Sequence, residues 1–298
     1  MTFALNHDTQ SWKKEGSQVW KYGLDVGYGY GWRLLAGRVM RYFSGTGVTS
    51  HIVFTDSTGT EYRLDRKVNP DGTTSATATG YWAASTDAFY GIFHEDWNTY
   101  RMKFPDGSSW DFGSRSAGSE GDLGAAYPTK FQDSNGNQIV VRYKPGVGLP
   151  SFWTNSSARI DEIEDVRAKY VGSSWKTYAF NYDTSQPLHR LTTITNEIYS
   201  GEKYTFWYSP GVQLYEPFTN TAWTGTGAAS TKFFWGLTIE DTGGLIYNLE
   251  YQQPWTGELS KMRIPYGGYV RWDMAATTFN ASRQVRCVFS SIAITILF

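Results

Sequence analysis

A short template recurring at constant internal spacing constrains this chain more than anything else in it. It reads apolar residue, one residue, Asp, two residues, Gly, two residues, then an apolar or aromatic residue. Its copies are Phe54, Asp56, Gly59, Tyr62; then Phe131, Asp133, Gly136, Ile139; then Ile239, Asp241, Gly244, Tyr247. A shorter relative, Phe104-Pro105-Asp106-Gly107, runs on to Trp110 and Phe112. The Asp carboxylate at the start of a turn accepts bonds from backbone N–H groups ahead of it, and Gly takes a positive φ without a Cβ clash. The flanks alternate: Tyr62 with Leu64, Ile139 with Val141 and Tyr143, Tyr247 with Leu249 and Tyr251. Period two places each set on one face of a strand. The template therefore predicts β-hairpins.

A second template occupies the C-terminal half. Arg159-Ile-Asp-Glu-Ile163 and Arg190-Leu-Thr-Thr-Ile194 are its clear copies, and Glu258-Leu-Ser-Lys-Met262 is a weaker one. Aromatic alternation surrounds them, at Tyr178, Phe180 and Tyr182 and again at Tyr204, Phe206 and Tyr208. A helix over Ile160–Val166 has the right spacing, but the parallel with Leu191 and Ile194 beside β-branched threonines favours a strand. The 51 aromatic residues (13 Trp, 21 Tyr, 17 Phe) with 31 Gly suit many short strands joined by tight turns. The expected fold is all-β: successive β-hairpins in a spiralling, repeat-built sheet. The Asp-x-x-Gly hairpins give way to the second template near Pro150, which divides the chain into regions 1–150 and 151–298. Gly113 to Gly124 and Thr219 to Ser230, rich in Ser, Thr and Gly, read as exposed loops.

Tyr178-Ala-Phe-Asn-Tyr-Asp183, Arg190-Leu-Thr-Thr-Ile-Thr195 and Tyr204-Thr-Phe-Trp-Tyr208, with Gly201 between the last two, resemble a tyrosine-aspartate (YD) repeat of bacterial Rhs-type proteins. Gly29-Tyr-Gly-Trp-Arg-Leu34, Phe54 to Leu64 and Phe104 to Trp110 are similar to segments that precede such repeats. Together these stretches cover most of residues 25–275. Departures are His189 where the family has Gly, Pro187 in the turn, and Glu258 where Arg is usual. The family's conserved core and toxin regions have no counterpart, and the likeness ends after Arg286. The resemblance implies an arc of a hollow β shell, secreted or at the cell surface, whose partners are neighbouring repeats of the same parent protein. It implies a structural role without catalysis.

Near-balanced charge, 27 Lys and Arg against 28 Asp and Glu, offers no field for nucleic acid. Cys287 is the single cysteine, which excludes a disulfide framework and a cysteine-based zinc site. No stretch approaches the roughly 20 apolar residues of a membrane-spanning helix. The start lacks the pattern of a signal peptide. Ile292 to Phe298 is apolar and β-prone, an exposed tail that promotes aggregation and whose deletion (288–298) should raise soluble yield. The sequence reads as part of a longer protein.

His94-Glu95-Asp96-Trp97 is the densest polar cluster, yet it lacks a second histidine at metal-ligand spacing. Asp161, Glu162, Glu164 and Asp165 offer paired carboxylates of the kind glycosidases use, but alternation turns most of them to solvent. Asp133 to Asn137 departs from a calcium loop, because Gly136 is fourth rather than sixth. Gly27, Gly29 and Gly31 lack the strand-turn-helix context of a dinucleotide site and read as a close-packed or bulged strand before Trp32. His7, His51, His94 and His189 show no triad order. The expectation is no catalytic, cofactor-binding or metal-ligating residue, and no cofactor. The alternative is a carbohydrate-binding β module using exposed Trp and Tyr, or less readily a glycan-degrading β enzyme.

Overall fold

The computed structural model describes residues 2–8, 11–86, 89–95, 100–165, 175–199, 201–240, 243–274, 276–279, 283–286 and 291–296, the last three strands by backbone alone. Among the described residues there is no α-helix, and the fold is all-β as expected. Two compact units compose it: Leu35–Phe180 with the first two residues, and Phe3–Leu34 with Asn181–Phe298. Pro150 therefore lies inside the first unit. Strand Gln138–Tyr143 pairs with Ile160–Glu164 across it, so the change of template at that point is not a change of packing.

The first unit is a run of antiparallel hairpins. Gly37–Phe43 pairs with Thr49–Asp56, which pairs with Glu61–Lys67, and the ladder continues through Tyr81–Ala84, Ile92–Glu95, Tyr100–Lys103 and Ser109–Asp111. Ser109–Asp111 also pairs with Lys130–Gln132, which leads on to Gln138–Tyr143 and Ile160–Glu164. The segment with helical spacing is thus a strand, and Val166 lies outside the described residues. Alternate residues build one core, with Val39, Ile52, Phe54, Leu64, Phe93 and Met102 all buried. Each such side chain contributes on the order of 1.5–3 kcal/mol. Phe54 sits among Phe89, Trp110 and Phe112 at centroid distances of 5.1, 5.9 and 6.4 Å.

Among the described residues of this unit one loop is used five times, over residues 44–48, 56–60, 69–73, 104–108 and 133–137. In each, the first N–H donates to the fifth carbonyl and the fourth residue, a Gly, donates to the first carbonyl. Those glycines have φ of 77–87°. This is the three-residue hairpin connection that ends in a left-handed Gly. Asp56 and Asp133 hold the first position. Oδ1 of Asp56 accepts from Thr58 and Thr60 at 2.8 and 3.1 Å, and Oδ1 of Asp133 from Asn135 and Asn137 at 2.9 and 2.8 Å. Asp71 and Asp106 hold the third position, each accepting from the N–H two residues on. Three of the loops lack Asp at the first position; 104–108 was legible as a shorter relative, whereas Ser44-Gly-Thr-Gly-Val48 and Asn69-Pro-Asp-Gly-Thr73 escaped the template. The Gly in fourth place is the signal they share. The turn residue Asp241 of the third copy lies outside the described residues, although the strands that flank it, Phe234–Ile239 and Leu245–Tyr251, do pair.

Gly136→Ala is expected to destabilise by about 1–2 kcal/mol, because an L side chain must then hold a left-handed backbone. A melting temperature unchanged within error would contradict the loop assignment. Asp133→Ala should lower it less. The Asn137 side chain and the loop N–H groups hold the Asp133 carboxyl below the usual carboxylate range. Its contribution is therefore complete above the ordinary Asp range and is lost as pH falls through the depressed value.

In the second unit, Arg190–Asn196, Lys203–Tyr208, Phe234–Ile239, Leu245–Tyr251, Leu259–Arg263 and Tyr269–Arg271 form successive antiparallel strands. Phe3–Asp8 pairs with Ser291–Ile296, and Trp12–Glu15 with Gln18–Lys21 and Arg283–Arg286. The terminal apolar stretch is thus a paired strand over Ser291–Ile296 and not a free tail. Deleting 288–298 would strip one neighbouring strand from Phe3–Asp8, so a loss of folded protein is now the expected result. Trp32 Nε1 donates to the Tyr251 hydroxyl at 2.8 Å, which donates to the Phe234 carbonyl at 2.7 Å. That chain satisfies the polar ends of buried rings.

Candidate functional site

The first residue of each second-template copy turns inward. Arg159 is 1% exposed, and its Nη1 and Nη2 donate to Glu120 Oε2 and Oε1 at 3.0 and 2.7 Å. Glu120 Oε1 also accepts from the Val147 N–H, and Arg159 Nη2 donates to the Pro145 carbonyl. Glu120 lies in the Ser- and Gly-rich stretch read as an exposed loop. That reading holds for most of the stretch but not at Ser114, Ser116, Glu120 and Asp122, which are buried. The stretch docks through Ala117 N–H to Ser156 and Ser114 Oγ to Ser157. Composition could not reveal this, because the bonds that bury the loop come from residues about forty positions on. The second stretch, Thr219 to Ser230, is mostly exposed as expected.

Arg190 does the same in the second unit. Its Nε donates to Asp25 Oδ2 at 2.9 Å, while Asp25 Oδ1 accepts the N–H groups of Gly27 and Gly29 at 2.9 and 3.1 Å. Gly27, Gly29 and Gly31 have φ of 109, 92 and 80°. Instead of a strand, they form an Asp-centred turn; a Cβ on Gly29 would fall 2.8 Å from the Phe234 nitrogen. The Gly27 and Gly29 N–H groups, which a phosphate would need as donors, already donate to Asp25 Oδ1. Glu258, the departure from the family pattern, is also buried and accepts from Thr256 Oγ1.

The other carboxylates are consumed across strands. Arg142 meets Glu162 at 2.9 Å and Glu164 at 3.1 Å, Lys176 meets Glu162 at 3.0 Å, and Lys144 pairs with Asp161. Burial pushes the Glu162 carboxyl up, but Lys176 and Arg142 outweigh it and hold it below the usual range. A glycosidase acid requires the reverse, a carboxyl raised toward neutrality. Glu95 lies 3.0 Å from Arg41 Nε and accepts Trp82 Nε1 at 3.3 Å. His94 stacks on Tyr81, its cross-strand partner, at 4.2 Å. Asp96 and Trp97 of that cluster lie outside the described residues, as does Cys287.

The four histidines lie on three separate strands and one loop. His7 is buried on Phe3–Asp8, His51 stacks on Tyr42, His94 stands on Ile92–Glu95, and His189 is half-buried before Arg190. Among the described residues no group of three or more His, Cys, Asp or Glu is placed to hold a metal ion. No helix of the described residues is long and apolar enough to cross a membrane. Many rings line the core, but others are exposed, Trp20, Trp153 and Trp175 among them, and Trp207 and Trp235 stay 38% exposed. A bulge between Trp207 and Tyr208 sets both beside Gly236, and the Trp207 ring covers the space of its missing Cβ.

No family model matches the chain, and no curated protein matches it. Solved structures similar to it include the N-terminal domain of the effector protein SpvB from Salmonella typhimurium, at 11% identity and a TM-score of 0.33 over 96% of this chain and 93% of that one. A TcdB2-TccC3-Cdc42 structure is 9% identical with a TM-score of 0.33; 93% of this chain is covered but only 16% of that one. A porin-like protein from Bacteroides uniformis is 9% identical with a TM-score of 0.34, over 88% and 98% of the two chains.

Proposed function

We propose that this chain is a non-catalytic structural segment of a larger Rhs/YD-type protein, secreted or at the cell surface, whose hairpins form part of a β shell. One observation carries the reading: the residues that define both templates are used up by the architecture. The turn aspartates bind their own loops, Arg159 and Arg190 pin distant loops, and the acidic run neutralises cations on adjacent strands. Repetition of one loop suits a unit that stacks on copies of itself, since a lone hairpin is marginal in water.

The genomic sequence flanking this segment should continue the five-residue Gly loops and the aromatic alternation. Flanks that lack both would remove the shell reading. As a second check, the chain should turn over none of a panel of chromogenic glycosides and esters. Hydrolysis that disappears in Glu95→Gln or Glu162→Gln would make it an enzyme.

A carbohydrate-binding module is the second reading, supported by the exposed Trp207 and Trp235 beside Gly236. Neutral oligosaccharides that stack there should quench tryptophan fluorescence, and a flat titration would retire that use of the surface.

A further inference from the structure

Residues 145–158 of the first unit contain no charged side chain, and they lie between strands Gln138–Tyr143 and Ile160–Glu164. Within them positions 150–154 are all exposed, Phe152 at 77% and Trp153 at 57%. Rings elsewhere in this unit find one another, as Phe54 does among Phe89, Trp110 and Phe112. Phe152 and Trp153 instead stand side by side in solvent at the tip of a loop.

The tip is held in place. Leu149 N–H donates to the Gly146 carbonyl and Trp153 N–H to the Pro150 carbonyl, each at 3.0 Å. Ser156 Oγ donates to the Trp153 carbonyl at 2.6 Å. Asn155 takes a φ of 56°, a left-handed backbone that is costly for a residue with a Cβ. It is fixed there by Tyr143, whose N–H donates to Asn155 Oδ1 at 2.9 Å. Below it, Glu120 accepts the Val147 N–H and Arg159 donates to the Pro145 carbonyl. An ion pair 1% exposed on both sides thus steadies a loop that presents two rings to solvent.

The charges near the tip come from the stretch 113–124 docked beside it. Its carboxylates, Glu120 and Asp122, are buried and bound by Arg159 and by the Tyr127 hydroxyl. Lys144, at the foot of the loop, pairs with Asp161. Of the charges on the two loops only Arg115 is left without an ion pair among the described residues, its guanidinium 3.9 Å over the Tyr100 ring. No exposed carboxylate on either loop opposes a layer of phosphates. A protein partner is specified by a polar rim around its aromatic anchors. Here only the Ser151 and Thr154 hydroxyls flank the rings. A bilayer interface needs no such rim: rings at headgroup level on an apolar tip about 5–10 Å deep suffice. We infer that this tip is a membrane-interface anchor, with Phe152 and Trp153 entering the boundary between headgroups and acyl chains of a phospholipid bilayer. The inference rests neither on the shell reading nor on the Trp207 surface.

Flotation of the full chain with vesicles of phosphatidylcholine, alone or mixed with phosphatidylglycerol, tests this. Wild type should float with both. The Phe152→Ser/Trp153→Ser variant should lose about tenfold or more in partition with an unchanged melting temperature. Tyr266→Ser, which removes a ring 93% exposed in the other unit, should float as wild type does. Failure to float with either vesicle would overturn the inference, as would full partition of the double variant. Binding to the anionic vesicles alone would also overturn it, since charge and not the tip would then be the cause. So would self-association in sedimentation velocity that the double variant abolishes while no vesicle is bound, which would give the tip to a second copy of the chain.

Discussion

Replacing Glu120 by alanine is expected to destabilise the protein by about 3–5 kcal/mol, the cost of leaving a buried charge unpaired. Arg159 would keep the Pro145 carbonyl as an acceptor but would lose both carboxylate oxygens in a site that is 1% exposed. The Val147 N–H would be orphaned as well. Glu120→Gln should cost less, since its amide oxygen can still accept. The double variant Glu120→Leu/Arg159→Met should recover much of the loss, because apolar groups of similar volume often replace a buried pair at little cost. Urea unfolding of Glu120→Leu, Arg159→Met and the double variant measures the coupling. Single and double variants that all fall within about 1 kcal/mol of wild type would show that the pair does not anchor the loop.

That pair also marks where reading the sequence stops. The hairpins were legible because their determinants are local: Asp133, Gly136 and the alternation of Ile139, Val141 and Tyr143 fall within about ten residues. The strand at Ile160–Glu164 was legible by analogy with Leu191 and Ile194. Glu120 was not, since a carboxylate in a Ser- and Gly-rich stretch looks solvated until Arg159 arrives from 39 positions away. The Gly27 to Gly31 segment was read as a strand because alternating Gly and Tyr has period two. The carboxylate of Asp25, bound from behind by Arg190, bends it into a turn instead. The paired fate of Ile292–Ile296 depends on a partner at the opposite end of the chain, Phe3–His7, and no local pattern carries that information.

Acidification from pH 7.5 to 4 is expected to cost the protein about 3 kcal/mol through His7 alone. Burial, partly opposed by the nearby Asp8 charge and by the bond to the Gly257 carbonyl, lowers its pKa to about 4. The ring is fully enclosed, 5.0 Å from Trp32, with Nε2 3.1 Å from that carbonyl. Above the unfolded value of about 6.5 both states hold His7 neutral, and pH has no leverage. As pH falls below it the unfolded chain takes a proton that the folded chain refuses, so stability declines by about 1.4 kcal/mol per pH unit until the folded value is reached. The depressed carboxylates, Asp133 among them, act in the same direction but at or below the ordinary carboxylate range. His51, also lowered by burial and by Arg63, is near the surface and contributes on a smaller scale. His7→Gln, whose amide can still donate to Gly257, should flatten the dependence between pH 6.5 and 4.5 while leaving the pH 7.5 midpoint close to wild type. An equally steep decline in that variant would mean that His7 is not the group that titrates.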